Sequence, residues 1–250
     1  MNPKDWIAGL ERGLKVLEAF GEDAPRLSAQ QMADRTGLTR TAARRQLLTL
    51  EHLGYLATDG KLFWLTPRVL TLAQSYIDSS RLARIVQPYL QRMAHGLQET
   101  TYLSVYDNGS VIYLARQGPS RTKSIGYGIG ERVAAALTAA GLMMLSYLSE
   151  EEQAQYLANY DIRNFTSQTI SDKSVLADLM KEPRAQGFAV SDSQVEIEYR
   201  GIAVPLLDHK GSLHGALSVT VSLVHEPREA AIKRLLPTLR DTAVSLRNVI

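Results

Sequence analysis

A cluster of arginine and threonine side chains near residue 40 is the part of the sequence best suited to contact a charged partner. Between residues 26 and 50 the chain carries arginines at five positions against the single acid Asp34, whereas the net charge of the whole chain is only +2. Arginine can donate paired hydrogen bonds to guanine or to phosphate oxygens, and threonine suits phosphate or the thymine methyl group. Because a charged run is often just solvated surface, the interpretation depends on the elements that hold these residues.

Those elements have the pattern of a helix-turn-helix. Apolar residues at helical spacing predict a first helix from Ile7 to Phe20. Ser28 and Gln31 have the form of a capping box, which begins a second, short helix that ends at Gly37. A third helix is expected from a cap at Thr39 to about Leu53.

The third helix is predicted to have one packed stripe and one basic face. Ala43, Leu47 and Leu50 form the stripe, so the charged and hydroxylated residues around them turn outward. In a helix-turn-helix, the N-terminal residues of the second helix of the pair enter the major groove. The residues predicted to contact double-stranded promoter DNA are Ser28, Thr39, Arg40, Thr41, Arg44 and Arg45.

Residues 55–65 predict a wing beside these helices. Two apolar-rich runs flank the Asp59-Gly60 dipeptide, which is typical of a β-hairpin. A hairpin directly after a helix-turn-helix defines a winged helix, and Lys61 is expected at its tip, where it can reach the phosphate backbone. The alternative is a small protein-interaction module built from the same elements.

A linking helix is predicted over residues 67–83. Thr66 is suited to cap it, and Pro67 takes its first position. Apolar residues occupy more than one face of this helix, which favours packing against a second copy of the chain.

The remaining residues predict an α+β domain of antiparallel strands and helices. A tight Asn108-Gly109 turn is expected to join strands at Thr101–Asp107 and Ser110–Arg116. Further strands are expected at 122–127, 188–191, 201–207 and 212–224, and helices at 149–152, 171–181 and 227–248, around an apolar segment at 137–148.

Several function classes are disfavoured by what the sequence lacks. The glycines at 126, 128 and 130 do not form the dinucleotide-binding fingerprint, and the five histidines show no metal-ligand spacing, so we expect no cofactor, metal or catalytic group. The longest nearly apolar run, Ala134–Leu148, is too short and too interrupted to cross a bilayer. With no secretory signal and no cysteine, we expect a cytoplasmic location without membrane insertion.

One local feature of the second domain indicates a binding site. Thr138-Ala139-Ala140-Gly141 is predicted to begin a helix, and its small side chains would expose the first backbone N–H groups. Such a terminus favours a carboxylate. Close helix packing through small residues explains the same sequence equally well.

These segments resemble the IclR family of bacterial regulators over nearly the whole chain. The segments that carry the resemblance are residues 7–17, 37–45, 53–55, 65–70, 137–141 and 202–206. The N-terminal half is most similar to the subgroup that controls aromatic-acid breakdown through the β-ketoadipate pathway. The resemblance implies a winged helix-turn-helix DNA-binding domain over 1–66, a linker helix over 67–83 and a GAF-like effector-binding domain over 84–250. It also implies a homodimer that can pair into a tetramer, and a palindromic promoter site.

The resemblance further implies an effector pocket in the second domain. Family binding positions fall on Ile125, Ala139, Ala140, Asp192, Gly201, Ser218 and Thr220. Gly201 stands where relatives often carry cysteine or serine, and Gln194 where an acid is common. By their chemistry we add Ser124 and Tyr127 as partners of a phenol or carboxylate, and Arg200 or Arg132 as a counter-ion. The charge of the acid is expected at the helix terminus that begins with Thr138.

The function predicted from sequence is a DNA-binding transcriptional regulator of aromatic-acid catabolism genes, expected to act as an activator. Its effector is expected to be a small aromatic carboxylate such as a hydroxybenzoate. The alternative is an enzyme or a small-molecule-binding protein with an appended helical interaction module. That alternative predicts turnover, or binding without sequence-selective recognition of DNA.

Overall fold

The computed structural model describes residues 2–21, 23–119, 126–160, 164–224 and 226–250 of the chain. They divide into two units, Met1–Tyr76 and Ile77–Ile250. Each unit has its own hydrophobic core, so each is described by itself. The predicted domain limits of 1–66, 67–83 and 84–250 stay predictions.

The N-terminal unit packs three helices against a small sheet. The helices are α1 (Ala8–Glu18), α2 (Ala29–Thr36) and α3 (Arg40–His52), and the strands are β1 (Leu27–Ser28), β2 (Leu56–Thr58) and β3 (Leu62–Leu65). The sheet is antiparallel in the order β1-β3-β2. The hairpin β2–β3 confirms the predicted wing, whereas β1 was not expected, because two residues are too short to show an alternating pattern.

The ends of α2 and α3 follow from local hydrogen bonds that the sequence predicted. The Gln31 N–H donates to Ser28 Oγ at 3.3 Å, and the Ser28 N–H donates to Gln31 Oε1 at 2.9 Å, which completes the capping box. Gly37 takes a left-handed conformation with φ 70°, and Thr39 Oγ1 accepts from the Ala42 N–H at 3.2 Å. The first helix is shorter than expected, ending at Glu18 rather than Phe20.

The linking helix predicted over 67–83 is two helices. A short 3₁₀ turn at Pro67–Val69 leads into α4 (Leu70–Ser79), and α5 (Arg81–Leu97) begins afresh. Between them Ser80 is extended, with ψ 95°, and its hydroxyl accepts from the Ala83 N–H. A serine in this role offers the backbone an N-cap in place of a continuing helix, which explains the break.

The C-terminal unit is built on a six-stranded antiparallel sheet with strand order β6-β5-β4-β9-β8-β7. Its elements along the chain are β4 (Thr100–Asp107), β5 (Ser110–Gln117), β6 (Arg132–Ala134), α6 (Ala139–Leu145), α7 (Glu150–Asn159), α8 (Lys173–Gln186), β7 (Ala189–Asp192), β8 (Tyr199–Leu207), β9 (Leu213–Ser222) and α9 (Arg228–Leu246). Two separate hydrophobic clusters form on the two faces of the sheet. Leu103, Ile202 and Leu217 pack with α5 and α9, and Tyr102, Ala203 and Ala216 pack with α6 and α8. Successive side chains of a strand point to opposite faces of the sheet, so α6 packs on one face and α9 on the other.

Most predicted elements of this unit are present, and the α+β class is confirmed. The β4–β5 turn has positive φ at both Asn108 (44°) and Gly109 (82°), as a two-residue hairpin turn requires. Helix α8 continues five residues past its predicted end, and neither α5 nor β6 was predicted. Most of the strand expected at 122–127 lies outside the described residues.

Helix α6 approaches the turn before it so closely that one position admits only glycine. A Cβ atom built on Gly141 would lie 2.0 Å from the backbone oxygen of Ala135. Ala135–Leu137 is a 3₁₀ turn that is buried along with the whole of α6. The small residues at 138–141 therefore do provide close packing, one of the two explanations that the sequence left open.

We expect Gly141→Ala to lower the free energy of unfolding by about 1–3 kcal/mol or more, because backbone atoms must shift to admit the methyl group. The matched control is Gly96→Ala in α5, where nothing lies within 4 Å of the new methyl group. Alanine in an open helical position should be neutral, or should stabilise by about 0.5–1 kcal/mol. Denaturant unfolding of both variants measures the difference. Equal stabilities would contradict the packing described for α6.

Candidate nucleic-acid interface and ligand cavity

Helix α3 presents a basic face that its own packing fixes in place. Ala43, Leu47 and Leu50 are buried in the core of the N-terminal unit. The residues predicted to contact DNA from this helix are exposed: Arg40, Thr41, Arg44 and Arg45. Among the described residues no carboxylate forms an ion pair with these three arginines. Their guanidinium groups are therefore available to an external anion such as phosphate.

The two predicted hydroxyl contacts, Ser28 and Thr39, are the N-caps of α2 and α3. Each hydroxyl oxygen accepts a backbone N–H of its own helix. A hydroxyl that accepts such a bond keeps its own proton to donate to a phosphate oxygen. Both side chains therefore stand at positive helix ends with a donor still to offer.

One cation lies on the wing and a second packs against it, and the sequence analysis singled out only the first. Lys61 is exposed at the tip, where Asp59 Oδ1 accepts the N–H groups of Lys61 (2.9 Å) and Leu62 (2.8 Å). These bonds lower the pKa of Asp59 and keep its carboxylate charged. The second cation is Arg26, whose guanidinium lies 4.3 Å from the centre of the Trp64 ring. Sequence reasoning missed this contact because it depends on the pairing of β1 with β3.

The C-terminal unit encloses a cavity of about 40 Å³ between the N-terminus of α6, strands β8 and β9, and residues 126–127. Its walls include seven of the residues predicted for effector binding: Tyr127, Thr138, Ala139, Ala140, Gly201, Ser218 and Thr220. They come together because Gly201 pairs with Thr220 and Ala203 with Ser218 across β8 and β9. Other residues in the wall were not predicted, among them Tyr113, Glu196 and Tyr199.

One end of the cavity is formed by the first turn of α6. Thr138 Oγ1 accepts the N–H of Gly141 at 2.9 Å. Within the described part of the chain, the N–H groups of Ala139 and Ala140 have no acceptor. Gly201 allows this approach, since a Cβ atom there would lie 3.3 Å from the Cβ of Ala139. A side chain larger than glycine at this position would press on the helix start.

Tyr113 and Tyr127 form a side wall of the cavity, and Tyr102 packs behind them. The Tyr113 ring stacks on Tyr127 at 4.7 Å and meets Tyr102 edge to face at 5.1 Å. Burial raises the pKa of Tyr113 and of Tyr127, and nearby Glu131 adds to the effect at both. The phenols are therefore neutral near pH 7 and can donate hydrogen bonds.

Arg116 is a cation beside this wall that sequence reasoning missed. It lies directly opposite Tyr102 in the β4–β5 register, so both side chains are on the α6 face of the sheet. Burial raises the pKa of Tyr102, and the charge of Arg116 and hydrogen bonds with Thr220 and Arg116 oppose that rise. A chain of polar contacts thus joins Arg116 through Tyr102 to Thr220 in the cavity wall. Finding it from sequence would have required the strand register.

The two arginines predicted as counter-ions lie elsewhere. Arg200 is only 5% exposed and donates to both carboxylate oxygens of Asp192, at 2.7 and 3.1 Å. Arg228 also reaches Asp192, at 3.3 Å. Neither Arg200 nor Asp192 lines the cavity. Their mutual pairing explains this, because a buried guanidinium needs a carboxylate partner of its own.

Arg132, Gln194, Ser124 and Ile125 are the other positions named from the sequence. Arg132 pairs with Asp107 at the hairpin, so it does not face the cavity either. Gln194 lines the cavity, but its amide is held by three backbone groups, donating to Gln168 and Asp192 and accepting from Ile170. Ser124 and Ile125 lie outside the described residues. No helix in the described ranges is long and apolar enough to cross a membrane.

Both units of the chain match known protein families. Residues 9–60 match the family described as the IclR helix-turn-helix domain. Residues 74–248 match the family described as the bacterial transcriptional regulator IclR C-terminal domain.

Individual relatives agree with these matches. A p-hydroxybenzoate hydroxylase transcriptional activator from Acinetobacter baylyi is 37% identical, over 99% of this chain and 93% of its own. The crystal structure of a transcriptional regulator from Rhodococcus sp. RHA1 superposes with a TM-score of 0.79 at 35% identity, covering 97% of both chains. A double mutant of the PobR inducer-binding domain from Acinetobacter, in complex with 3-hydroxybenzoic acid, has a TM-score of 0.64 at 26% identity. It covers 68% of this chain and 100% of that one.

We expect Asp192→Asn to destabilise the protein without altering ligand affinity at the cavity. Removing one partner of a buried pair costs about 3–5 kcal/mol, and we expect roughly 1–3 here because the Asp192 side chain is 26% exposed. Thermal unfolding measures the loss, and calorimetry with a benzoate measures the affinity. A large loss of affinity in a folded variant would show that Asp192 contributes to ligand binding after all.

Proposed function

The chain belongs to the IclR family of bacterial transcriptional regulators, and we propose that it controls aromatic-acid catabolism genes in response to a small aromatic carboxylate. The main support for the DNA-binding part of this proposal is the exposed face of α3. There Arg40, Arg44 and Arg45 have no acidic partner among the described residues. We propose that it acts as an activator, as its A. baylyi relative is named, and that it has no enzymatic role.

The DNA contacts divide by chemistry. Arg44 and Arg45 point away from the packed stripe of α3, where their forked donors suit guanine edges or phosphates. Thr39 and Ser28, at helix N-termini, suit phosphate oxygens, which fix the register of the protein on the duplex. Lys61 on the wing and Arg26 stacked against Trp64 add positive charge along the neighbouring backbone.

The cavity is suited to an aromatic acid. Its wall combines tyrosine rings, which pack on an aromatic ring, with hydroxyl groups at Thr138, Ser218 and Thr220. The acid's charge would lie between the N–H groups at the start of α6 and the polar chain that ends in Arg116. Hydroxybenzoates fit this description, and one occupies the related PobR domain.

The size of the cavity supports a switch. At about 40 Å³ it is well below the roughly 150 Å³ that accommodates benzene in an engineered core. An aromatic acid must therefore open the site, which means that it binds the open arrangement more tightly than the closed one. That difference in affinity is what lets a ligand shift a protein between two states.

We further propose that the chain acts as a homodimer, which can pair into a tetramer, on a palindromic site. Large apolar side chains are exposed on two helices of the N-terminal unit: Leu10 and Leu14 on α1, and Leu70, Leu72 and Tyr76 on α4. Exposed apolar groups of this size favour burial against a second copy. The cytoplasmic location stays a prediction.

We expect the double variant Arg44→Ala, Arg45→Ala to weaken promoter binding by at least about tenfold, because each arginine contact to a base edge or phosphate contributes about 1–3 kcal/mol. Fluorescence anisotropy with the chain's own upstream DNA measures the affinity, and the salt dependence should flatten. Lys181→Ala is the control, since Lys181 is an exposed cation on α8. Unchanged DNA affinity in the arginine variant would show that the recognition helix is wrongly assigned.

We expect 3- or 4-hydroxybenzoate to bind with micromolar to millimolar affinity, and Arg116→Gln to weaken that binding by about tenfold or more, the loss for a hydrogen bond to a charged group. Arg240→Gln is the matched control, because Arg240 is an exposed cation on α9, on the opposite face of the sheet. Isothermal calorimetry measures both. If no benzoate binds the folded protein, the sensor role fails. Equal losses of benzoate affinity in the two variants would show that Arg116 has no specific role in binding.

A further inference from the structure

A second cleft, of about 520 Å³, lies between α7 and the β4–β5 turn. It is separate from the cavity described above and shares no wall residue with it. Its volume falls in the range of about 300–1,000 Å³ that is usual for small-molecule sites. The proposed function makes no use of it.

Helix α7 gives one continuous face to this cleft. The side chains at 152, 155, 156, 159 and 160 line it, at the spacing of a single helical stripe. No residue of α7 is fully buried. Tyr156 and Tyr160 pack against the core on one side and leave part of each ring facing the cleft. Opposite this face stand Tyr106 and Gly109 of the hairpin.

The chemistry of the lining favours an organic cation. Tyr106, Tyr156 and Tyr160 supply aromatic rings, and Tyr156 and Tyr160 stack at 5.5 Å. Glu152 is the one charged side chain among the described lining residues. Its hydrogen bonds with Ser149 use Oε2 and lower its pKa, so the carboxylate is ionised near pH 7. A protonated amine is attracted both by this charge and by tyrosine ring faces, whereas an anion is repelled.

The cleft is connected to the turn that positions α6. The Tyr156 hydroxyl accepts the N–H of Ala136 at 3.0 Å, and the N–H of Ala135 donates to the Gly109 oxygen at 2.9 Å. The Tyr156 ring also packs against Gly109, whose Cβ position lies 3.3 Å from it. Ala135–Leu137 leads directly into Thr138 and the start of α6. An occupant that contacts Tyr156 therefore holds the segment on which the first cavity depends.

We propose that this cleft binds a small organic ammonium ion with an aromatic or aliphatic body. We also propose that its occupancy opposes the opening of the first cavity. This second effect rests on the proposed function, because it needs an acid in the first cavity. Coupling between two sites is reciprocal, so the acid must weaken amine binding by the same factor.

The test uses three ligands with similar bodies and different charge: 2-phenylethylammonium, 2-phenylethanol and 3-phenylpropionate. Calorimetry on the full chain without any benzoate should show saturable binding of the ammonium ion, weaker binding of the alcohol and none of the anion. Equal binding of all three, or no binding of the ammonium ion up to millimolar concentrations, would overturn the proposal.

Glu152→Gln removes the charge and keeps a side chain that completes the capping box. We expect it to weaken ammonium binding about threefold to fivefold, the loss for a partly exposed ion pair. Glu151→Gln, one residue earlier and outside the lining, is the control and should bind normally. If both variants bind alike, the charge of Glu152 is not recognised and the site is wrongly assigned.

The coupling is measured by titrating 4-hydroxybenzoate with and without saturating 2-phenylethylammonium. We expect a reduction of a few-fold in acid affinity, with the same factor in the reverse titration. An unchanged acid affinity would overturn the coupling. Ammonium binding in a protein that binds no benzoate would support the cleft while the proposed function fails, so the two outcomes are distinguishable.

Discussion

The close approach of α6 to its neighbours is the constraint on which the C-terminal unit depends. Gly141 lies against the Ala135 carbonyl and Gly201 lies under Ala139, so no side chain separates the helix from the turn before it or from β8. The first turn of α6 and the polar residues Ser218 and Thr220 of β9 together line the cavity of about 40 Å³. In the proposed function an aromatic acid must change the contact of α6 with its neighbours to enter, so the packing that stabilises the unit would also make it responsive to the ligand.

The arginines near the cavity differ in whether their charge is already paired with a carboxylate. Arg200 and Asp192 satisfy one another, with Arg228 beside them. Arg116 instead contacts Tyr102, which in turn bonds with Thr220 in the cavity wall. On the N-terminal unit, no described carboxylate forms an ion pair with Arg40, Arg44 or Arg45 of α3, so these arginines are available to an external anion. The burial and the bonding partners of each arginine therefore indicate its role better than its distance along the sequence from the glycine-rich turn at 126–130.

Sequence reasoning was most accurate where local chemistry decides structure. The capping box at Ser28, the left-handed Gly37 and the Asn108-Gly109 hairpin turn follow from side chains within a few residues of each other. It was least accurate where distant segments meet. The stacking of Arg26 on Trp64 and the pairing of Arg116 with Tyr102 depend on strand register. The predicted counter-ions Arg200 and Arg132 lie outside the cavity wall and pair with Asp192 and Asp107, partners that only the sheet identifies.

The central claim is that an aromatic acid bound in the C-terminal unit controls transcription through the DNA-binding unit. In vitro transcription from the chain's own upstream promoter, with purified RNA polymerase and with or without saturating 4-hydroxybenzoate, tests this claim most directly. We expect the acid to increase transcript yield with the wild-type protein, and no such increase when Arg44 and Arg45 are replaced by alanine. Transcript yield that does not change with the acid, under conditions where calorimetry shows the acid to be bound, would contradict the account.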